Sequence, residues 1–272
     1  MNVVQTERSP QPFTRELDRV ACYEYRGHQE AFARLKLMVE QQALGVLTGE
    51  VGSGKSTLIR RLFRSYDAMT HLPIYLSIAG LKPRDFYGEL LRHVGEEPLY
   101  SVTKAKRQWE DVLAGRQAHG EKQLVVVIDE AQEMSEAMML ELRFVMNHQM
   151  DACSLFPLIL VGQPELRKQL RLKKYEAIAQ RIGMQFHLQG MTKEETEAYI
   201  RHHIKTACLS SPVFSETAMH LVHTASQGLP RVINQICRHV LHDAAGKQHE
   251  VVEEIHITRV LADMDRQRGA TG

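Results

Sequence analysis

Residues 49 to 56 read Gly-Glu-Val-Gly-Ser-Gly-Lys-Ser, the spacing G-x-x-x-x-G-K-[ST] that wraps backbone around a phosphate chain. Glycines let the chain curl until its N–H groups point inward, and a helix starting at the loop's end adds its positive pole. Gly49, Glu50, Val51, Gly52, Ser53 and Gly54 are expected to form this cradle, with Thr57 carrying it into the helix. Lys55 reaches the β- and γ-phosphates, and the Ser56 hydroxyl holds Mg²⁺. The expected ligand is a nucleoside triphosphate with its Mg²⁺ ion.

Two further segments supply polar groups at the ends of apolar runs. Leu124-Val125-Val126-Val127-Ile128 leads into Asp129 and Glu130. Asp129 is expected near Mg²⁺, and Glu130 as the general base that polarises an attacking water. Leu158-Ile159-Leu160-Val161-Gly162 leads into Gln163 and Pro164. Gln163 is placed to orient the water or to sense the γ-phosphate.

Positioning these groups requires buried strands. Apolar runs at 43–48, 73–78, 124–128, 155–161 and 184–188 alternate with helical segments, starting with a helix at 30–42. Runs this apolar predict strands buried on both faces of a parallel sheet, covered by helices, in an α/β sandwich. After Gly190 no strand is expected. Thr192-Lys193-Glu194-Glu195 is a capping box opening a helix to about 207. Ser215 caps a helix at 216–226, Gly228 and Pro230 break it, and helices follow at 231–245 and 257–265. The expected organisation is a polar N-terminal arm at 1–20, an ATPase core at 21–190 and a helical lid at 191–272.

The motifs together resemble the AAA+ ATPases. Within them the chain is similar to the branch that holds secretion ATPases of the ExeA/GspA kind and transposition regulators of the TnsC, TniB and MuB type. The resemblance rests on residues 49–57, on Val127-Ile128-Asp129-Glu130-Ala131-Gln132 and on Val161-Gly162-Gln163-Pro164-Glu165-Leu166. It rests also on Gln180-Arg181-Ile182 and on Gly228-Leu229-Pro230-Arg231-Val232-Ile233-Asn234. It implies an αβα P-loop NTPase with a five-stranded parallel sheet and a small all-α lid, hydrolysing ATP with Mg²⁺. It further implies that Arg181 is an arginine finger aimed at a neighbouring subunit's γ-phosphate. Arg231 becomes a sensor arginine delivered by the lid, and 23–28 a segment lining the adenine pocket. A finger acting in trans implies a homo-oligomer, either a ring or a helical filament. Many AAA+ proteins carry Asn, Ser or Thr where Gln163 stands.

Composition sets the outer bounds. The 272 residues carry 34 Lys and Arg against 33 Asp and Glu, so no global charge announces nucleic acid or a membrane. No apolar stretch approaches a membrane span or a signal-peptide core. The four cysteines lack C-x-x-C spacing and suit reduced thiols, so a cytoplasmic protein with no membrane contact is expected. Lys104, Lys106 and Arg107, followed by Trp109, are the local basic cluster suited to the backbone of duplex DNA. A second cluster, Arg167, Lys168, Arg171, Lys173 and Lys174, lies ahead of Arg181 and suits a subunit interface. Fourteen histidines include i,i+3 pairs at His220/His223 and His239/His242, but nothing beside them completes a metal site. The expected function is ATP-dependent assembly on target DNA with recruitment or activation of a transposase. The alternatives are a secretion ATPase, disfavoured by the lack of a membrane segment before the chain stops at Gly272, and a protein switch that contacts no DNA.

Overall fold

The computed structural model describes residues 11–14, 22–146, 154–208, 214–246 and 250–269. Packing contacts divide the chain into two units, one holding residues 30–51 and 55–188, the other residues 1–29, 52–54 and 189–272.

The first unit is built on strands β1 (Leu44–Gly49), β2 (His71–Leu76), β3 (Gln123–Ile128), β4 (Leu158–Gly162) and β5 (Ile182–Leu188). They pair in the order β2-β3-β4-β1-β5, and every pairing is parallel. Parallel neighbours need crossover connections, which helices supply. Helix α1 (Arg26–Glu40) precedes β1, and α2 (Lys55–Arg64) links β1 to β2. Helices α3 (Pro83–His93) and α4 (Val102–Ala118) link β2 to β3, and α5 (Glu136–Val145) links β3 to β4. Helix α6 (Pro164–Leu170) and the short α7 (Glu176–Ala179) lead into β5.

Side chains alternate between the two faces of a strand. On one face Leu44, Val46, Ile74, Val126 and Leu160 pack in one cluster with Phe86, Leu90, Trp109 and Met138 from the helices. On the other, Leu47, Val125, Val127 and Val161 are buried, as are Leu35 and Met38 of α1 and Leu58 and Leu62 of α2. A methyl group on Gly45 would meet the Met38 sulfur at 2.0 Å, so α1 lies directly on β1.

The strands differ from the sequence expectation in two ways. The one expected at 73–78 runs from His71 to Leu76, and those expected at 155–161 and 184–188 run from Leu158 to Gly162 and from Ile182 to Leu188. Burial on both faces holds for β1 and β4 but fails for β2 and β5, which form the sheet's edges. In β2 only Ile74 and Leu76 are buried. Pro73 is tolerated there because an edge strand needs ladder donors on one side alone.

The second unit contains helices α8 (Lys193–Thr206), α9 (Glu216–Ser226), α10 (Pro230–Gly246) and α11 (Glu254–Gly269). Both halves of the capping box are present: Glu195 N–H donates to Thr192 Oγ1 at 3.2 Å, and Thr192 N–H donates to Glu195 Oε2 at 2.9 Å. The Ser215 hydroxyl accepts from Ala218 N–H at the start of α9. Helix α11 is longer at both ends than the segment expected at 257–265.

Residues 1–20 were expected to be a polar arm, and of these only 11–14 lie among the described residues. Phe13 corrects that reading, because it is buried in the helical unit. Its N–H donates to His203 Nδ1 at 3.2 Å, its ring stacks on the imidazole with centroids 5.0 Å apart, and Phe214 lies edge-on at 6.2 Å. An accepting Nδ1 requires the neutral ring. Burial, reinforced by the neighbouring His202, pushes the His203 pKa down to about 3.

A histidine kept neutral by the fold stabilises it fully above the unfolded pKa of about 6.5, and this contribution is lost as pH falls towards the folded value. Stability should therefore drop by about 1.4 kcal/mol per pH unit between roughly pH 6.5 and pH 3 on account of this one residue. Denaturant titrations of wild type and His203→Gln across that window should show a shallower dependence in the variant. Parallel curves would mean that His203 does not carry the effect.

Candidate functional site

Within the first unit, the parallel sheet brings three expected site segments to a single edge. Gly49 ends β1, Asp129 follows β3, and Gln163 follows β4, with β4 lying between β1 and β3. Neighbouring strands are about 4.8 Å apart, so the three chain exits fall within roughly 10 Å of one another. Ligands of open α/β sheets bind beyond such carboxyl ends. Lys55 is buried, and its Nζ donates to the carbonyls of Gly49 at 2.7 Å and Glu50 at 3.0 Å. That folds the lysine back over the loop from which it springs. Ser56 is exposed at the start of α2.

The two carboxylates differ in setting. Asp129 is buried; its Oδ1 accepts Glu130 N–H at 2.9 Å, and its Oδ2 accepts the Tyr75 hydroxyl. Burial, and then the bond to Asp129, raise the Tyr75 pKa and keep the phenol protonated as a donor. Glu130 is exposed and adopts a left-handed backbone with φ 50° and ψ 40°, uncommon for a residue with a side chain. Its Oε2 accepts the side-chain amides of Gln132 at 2.8 Å and Gln163 at 3.4 Å. Gln132 Oε1 in turn accepts Gln163 N–H at 3.0 Å, and Gln169 donates to the Gln132 carbonyl at 3.0 Å. One carboxylate is thus buried and held by a backbone N–H and a phenol, and the next is exposed and held by side-chain amides. Nearby, the Thr48 hydroxyl lies 3.1 Å from His187 Nδ1. Burial first and Arg167 second lower the His187 pKa.

The tip of the phosphate loop, residues 52–54, belongs to the second unit. Gly52 has φ +86°, and its carbonyl accepts Arg231 N–H at 3.2 Å. Pro230 opens α10, and Arg231 follows in its first turn with an exposed side chain. The turn that delivers it is tightly fixed: Met191 N–H donates to Gly228 O at 2.9 Å, and a methyl group on Gly228 would lie 2.0 Å from Met191 O. In the segment expected to line the adenine pocket, 23–28, two residues pack against the loop tip. Tyr25 and His28 are buried and stacked at 4.5 Å, and the Tyr25 hydroxyl donates to the carbonyls of Ser53 and Gln189, each at 3.2 Å.

These residues fit a triphosphate and its metal. The Ser53 hydroxyl is buried with no hydrogen-bond partner among the described residues, a donor suited to a phosphate oxygen. Among the described residues no three His, Cys, Asp or Glu side chains cluster as a metal cage. Mg²⁺ held by one hydroxyl, one carboxylate and substrate phosphates needs no such cage.

Other expected residues lie elsewhere. Arg181 immediately precedes β5, where Ile182 pairs with Leu44 at the amino end of β1. The six residues of β1 separate it from the phosphate end by roughly 17 Å. It lines a cleft of about 550 Å³ with Gln41, Gln42 and Gln180. The basic trio at 104–107 is not equally exposed. Lys104 and Arg107 are exposed, whereas Lys106 pairs with Glu141 at 2.6 Å and lies over the Phe144 ring. Trp109 is buried. In the second cluster Lys174 pairs with Glu136 at 2.8 Å. Tyr75 and Gln132 were not anticipated as site residues. For Gln132 a signal existed, since it stands two positions after Glu130 within the apolar-run motif.

Comparison with known proteins bears on the fold. Residues 38–170 match the family described as "AAA domain". General secretion pathway protein A of Aeromonas hydrophila is 30% identical over 254 residues, covering 90% of this chain and 45% of that one. The chain therefore spans just under half the length of this curated relative. Among solved structures, Cdc6p from Pyrobaculum aerophilum superposes with a TM-score of 0.65 at 14% identity, over 86% of this chain and 68% of that one. The ORC2 protein of Aeropyrum pernix, in its ADP form, gives a TM-score of 0.64 at 16% identity, over 90% and 72%. Residues 38–170 are thus similar to an AAA domain, and the fold is that of the AAA+ P-loop NTPases. Among the described residues no helix is long and apolar enough to cross a membrane.

Gly52 offers a direct test of the loop. A methyl group there would lie 2.6 Å from Arg231 Cβ, at a φ that costs a non-glycine residue about 1–2 kcal/mol. Gly52→Ala should weaken binding of a fluorescent ADP analogue by about tenfold or more, in line with that cost. An unchanged dissociation constant would show that the loop tip is not held as described.

Proposed function

We propose that this chain is a Mg²⁺-dependent ATPase that assembles with copies of itself and works as an ATP-driven switch. The observation that carries this reading is the convergence of Lys55, Asp129, Glu130 and Gln163 at the carboxyl ends of adjacent parallel strands. Residues 49–57 would cradle the phosphates, with Lys55 neutralising their charge. Ser56 and Asp129 would hold Mg²⁺, which when bound draws negative charge from the β- and γ-phosphate oxygens. Glu130 takes a proton from the attacking water, Gln163 fixes the water's position, and the proton then passes to solvent. Arg231, whose N–H donates to the Gly52 carbonyl at the loop tip, is the proposed sensor arginine.

Arg181 supports self-assembly. At the far end of β1 and β5 it is too distant to reach its own chain's phosphates, so a role in catalysis requires a neighbouring copy. An arginine finger of this kind is worth roughly 10³–10⁵ in rate.

Two clients fit such a switch. Similarity to general secretion pathway protein A over 90% of this chain supports an export-related assembly. The second reading, assembly on duplex DNA with recruitment of a transposase, draws on the motif resemblance and on the exposed Lys104 and Arg107. Duplex DNA that shifts in a gel with ATP and stimulates hydrolysis at least severalfold selects the DNA client. No shift and no stimulation at low salt select the export client.

Three substitutions test the enzyme itself. Lys55→Ala should abolish nucleotide binding, and Glu130→Gln should bind ATP yet hydrolyse it at least a hundredfold more slowly, within the range of lost general-base catalysis. Arg181→Ala should lose activity by about 10³-fold or more, and mixing it with Lys55→Ala should restore hydrolysis through mixed neighbours. If Arg181→Ala alone hydrolyses ATP at the wild-type rate, the finger assignment fails.

A further inference from the structure

Gln132 lies outside the phosphate loop and carries no group that reacts with ATP, yet its side chain is tied at both ends into the site. Its Nε2 donates to Glu130 Oε2 at 2.8 Å, and its Oε1 accepts Gln163 N–H at 3.0 Å. Its backbone is held in a short helical turn, Ala131–Glu133, and its carbonyl accepts from Gln169 of α6. Gly162 presses on the same amide: a methyl group there would lie 2.6 Å from Gln132 Oε1. The Gln163 side chain also reaches Glu130 Oε2, but at 3.4 Å it makes the longer contact.

We propose that Gln132 is the positioning residue that clips the Glu130 carboxylate to the end of β4, fixing which oxygen faces the water. This inference rests on Glu130 being the general base. With Oε2 taken by the Gln132 and Gln163 amides, Oε1 is the oxygen presented to the reaction. Glu130 needs such a clip because it sits on an exposed, left-handed residue just past the end of β3. An unclipped glutamate there samples several rotamers, and a misplacement of about 1 Å in a reacting group can cost 10²-fold in rate.

The clip demands one donor and one acceptor on a single planar group. Glutamine supplies both, and neutral histidine supplies one of each, whereas methionine has the length of glutamine without a matching donor. Gln132→Met should therefore reduce kcat by about 10- to 100-fold while KM for ATP and affinity for a fluorescent ADP analogue change less than about threefold. Gln132→His should recover most of the lost kcat. In the nucleotide-free protein, Gln132→Met should also accelerate amide hydrogen exchange at Gln163, whose N–H loses its acceptor, with little change in melting temperature.

Glu130→Gln serves as the reference. If it abolishes hydrolysis while Gln132→Met keeps kcat within twofold of wild type, the clip is refuted and the general base stands. Unaltered exchange at Gln163 in Gln132→Met, or loss of ADP affinity in step with kcat, likewise refutes it. If Glu130→Gln itself hydrolyses ATP normally, the base assignment falls and the clip falls with it.

Discussion

Because all five strands run in one direction, whatever leaves their carboxyl ends leaves on one edge of the sheet. This constraint brings together residues that are far apart in sequence. The phosphate loop, the Asp129–Glu130 pair and Gln163 are each the first polar residues after an apolar strand, and the order β3-β4-β1 makes them neighbours. The same direction sends residues just ahead of the strands, Arg181 among them, to the opposite edge. An enzyme needing both ends of the sheet at one phosphate cannot be built from a single copy of it.

The adjacent carboxylates show how identical functional groups are given different surroundings by the fold. Asp129 is withdrawn from solvent and anchored by a backbone N–H and a phenol, which suits a fixed ligand. Glu130 stays exposed and is steered by amides alone, on a backbone conformation that stores local strain. Amide donors carry no net charge, so they can hold the carboxylate without forming the ion pair that a lysine or arginine would impose.

What could be read from the sequence was the chemistry that acts over short chain distances. The phosphate loop, the apolar runs ending in polar residues and the Thr192–Glu195 box are each specified by residues within a few positions of one another. The contacts that escaped notice span long loops: Tyr75 to Asp129 across 54 residues, Gln132 to Gln163 across 31, and Phe13 to His203 across 190. Their partners are set by strand order and helix packing. Edge strands were missed for the same reason, since a strand's rank in the sheet depends on neighbours that its own residues do not name. Lys106 was grouped with Lys104 and Arg107 by adjacency, yet it is ion-paired with Glu141 on α5.

The tip of the phosphate loop is folded together with the helices of the second unit, through Arg231 on one side and Tyr25 on the other. Occupancy of the loop and the stability of those helices are therefore one thermodynamic system. Whatever binds the loop stabilises the helices in proportion to its concentration over its dissociation constant. By reciprocity, if the loop binds nucleotide as proposed, any coupling between the turn at Gly228 and the occupied loop acts equally in both directions. The loop tip and the turn at Gly228 are thus parts of one packed unit, in which strain at either is felt by the other.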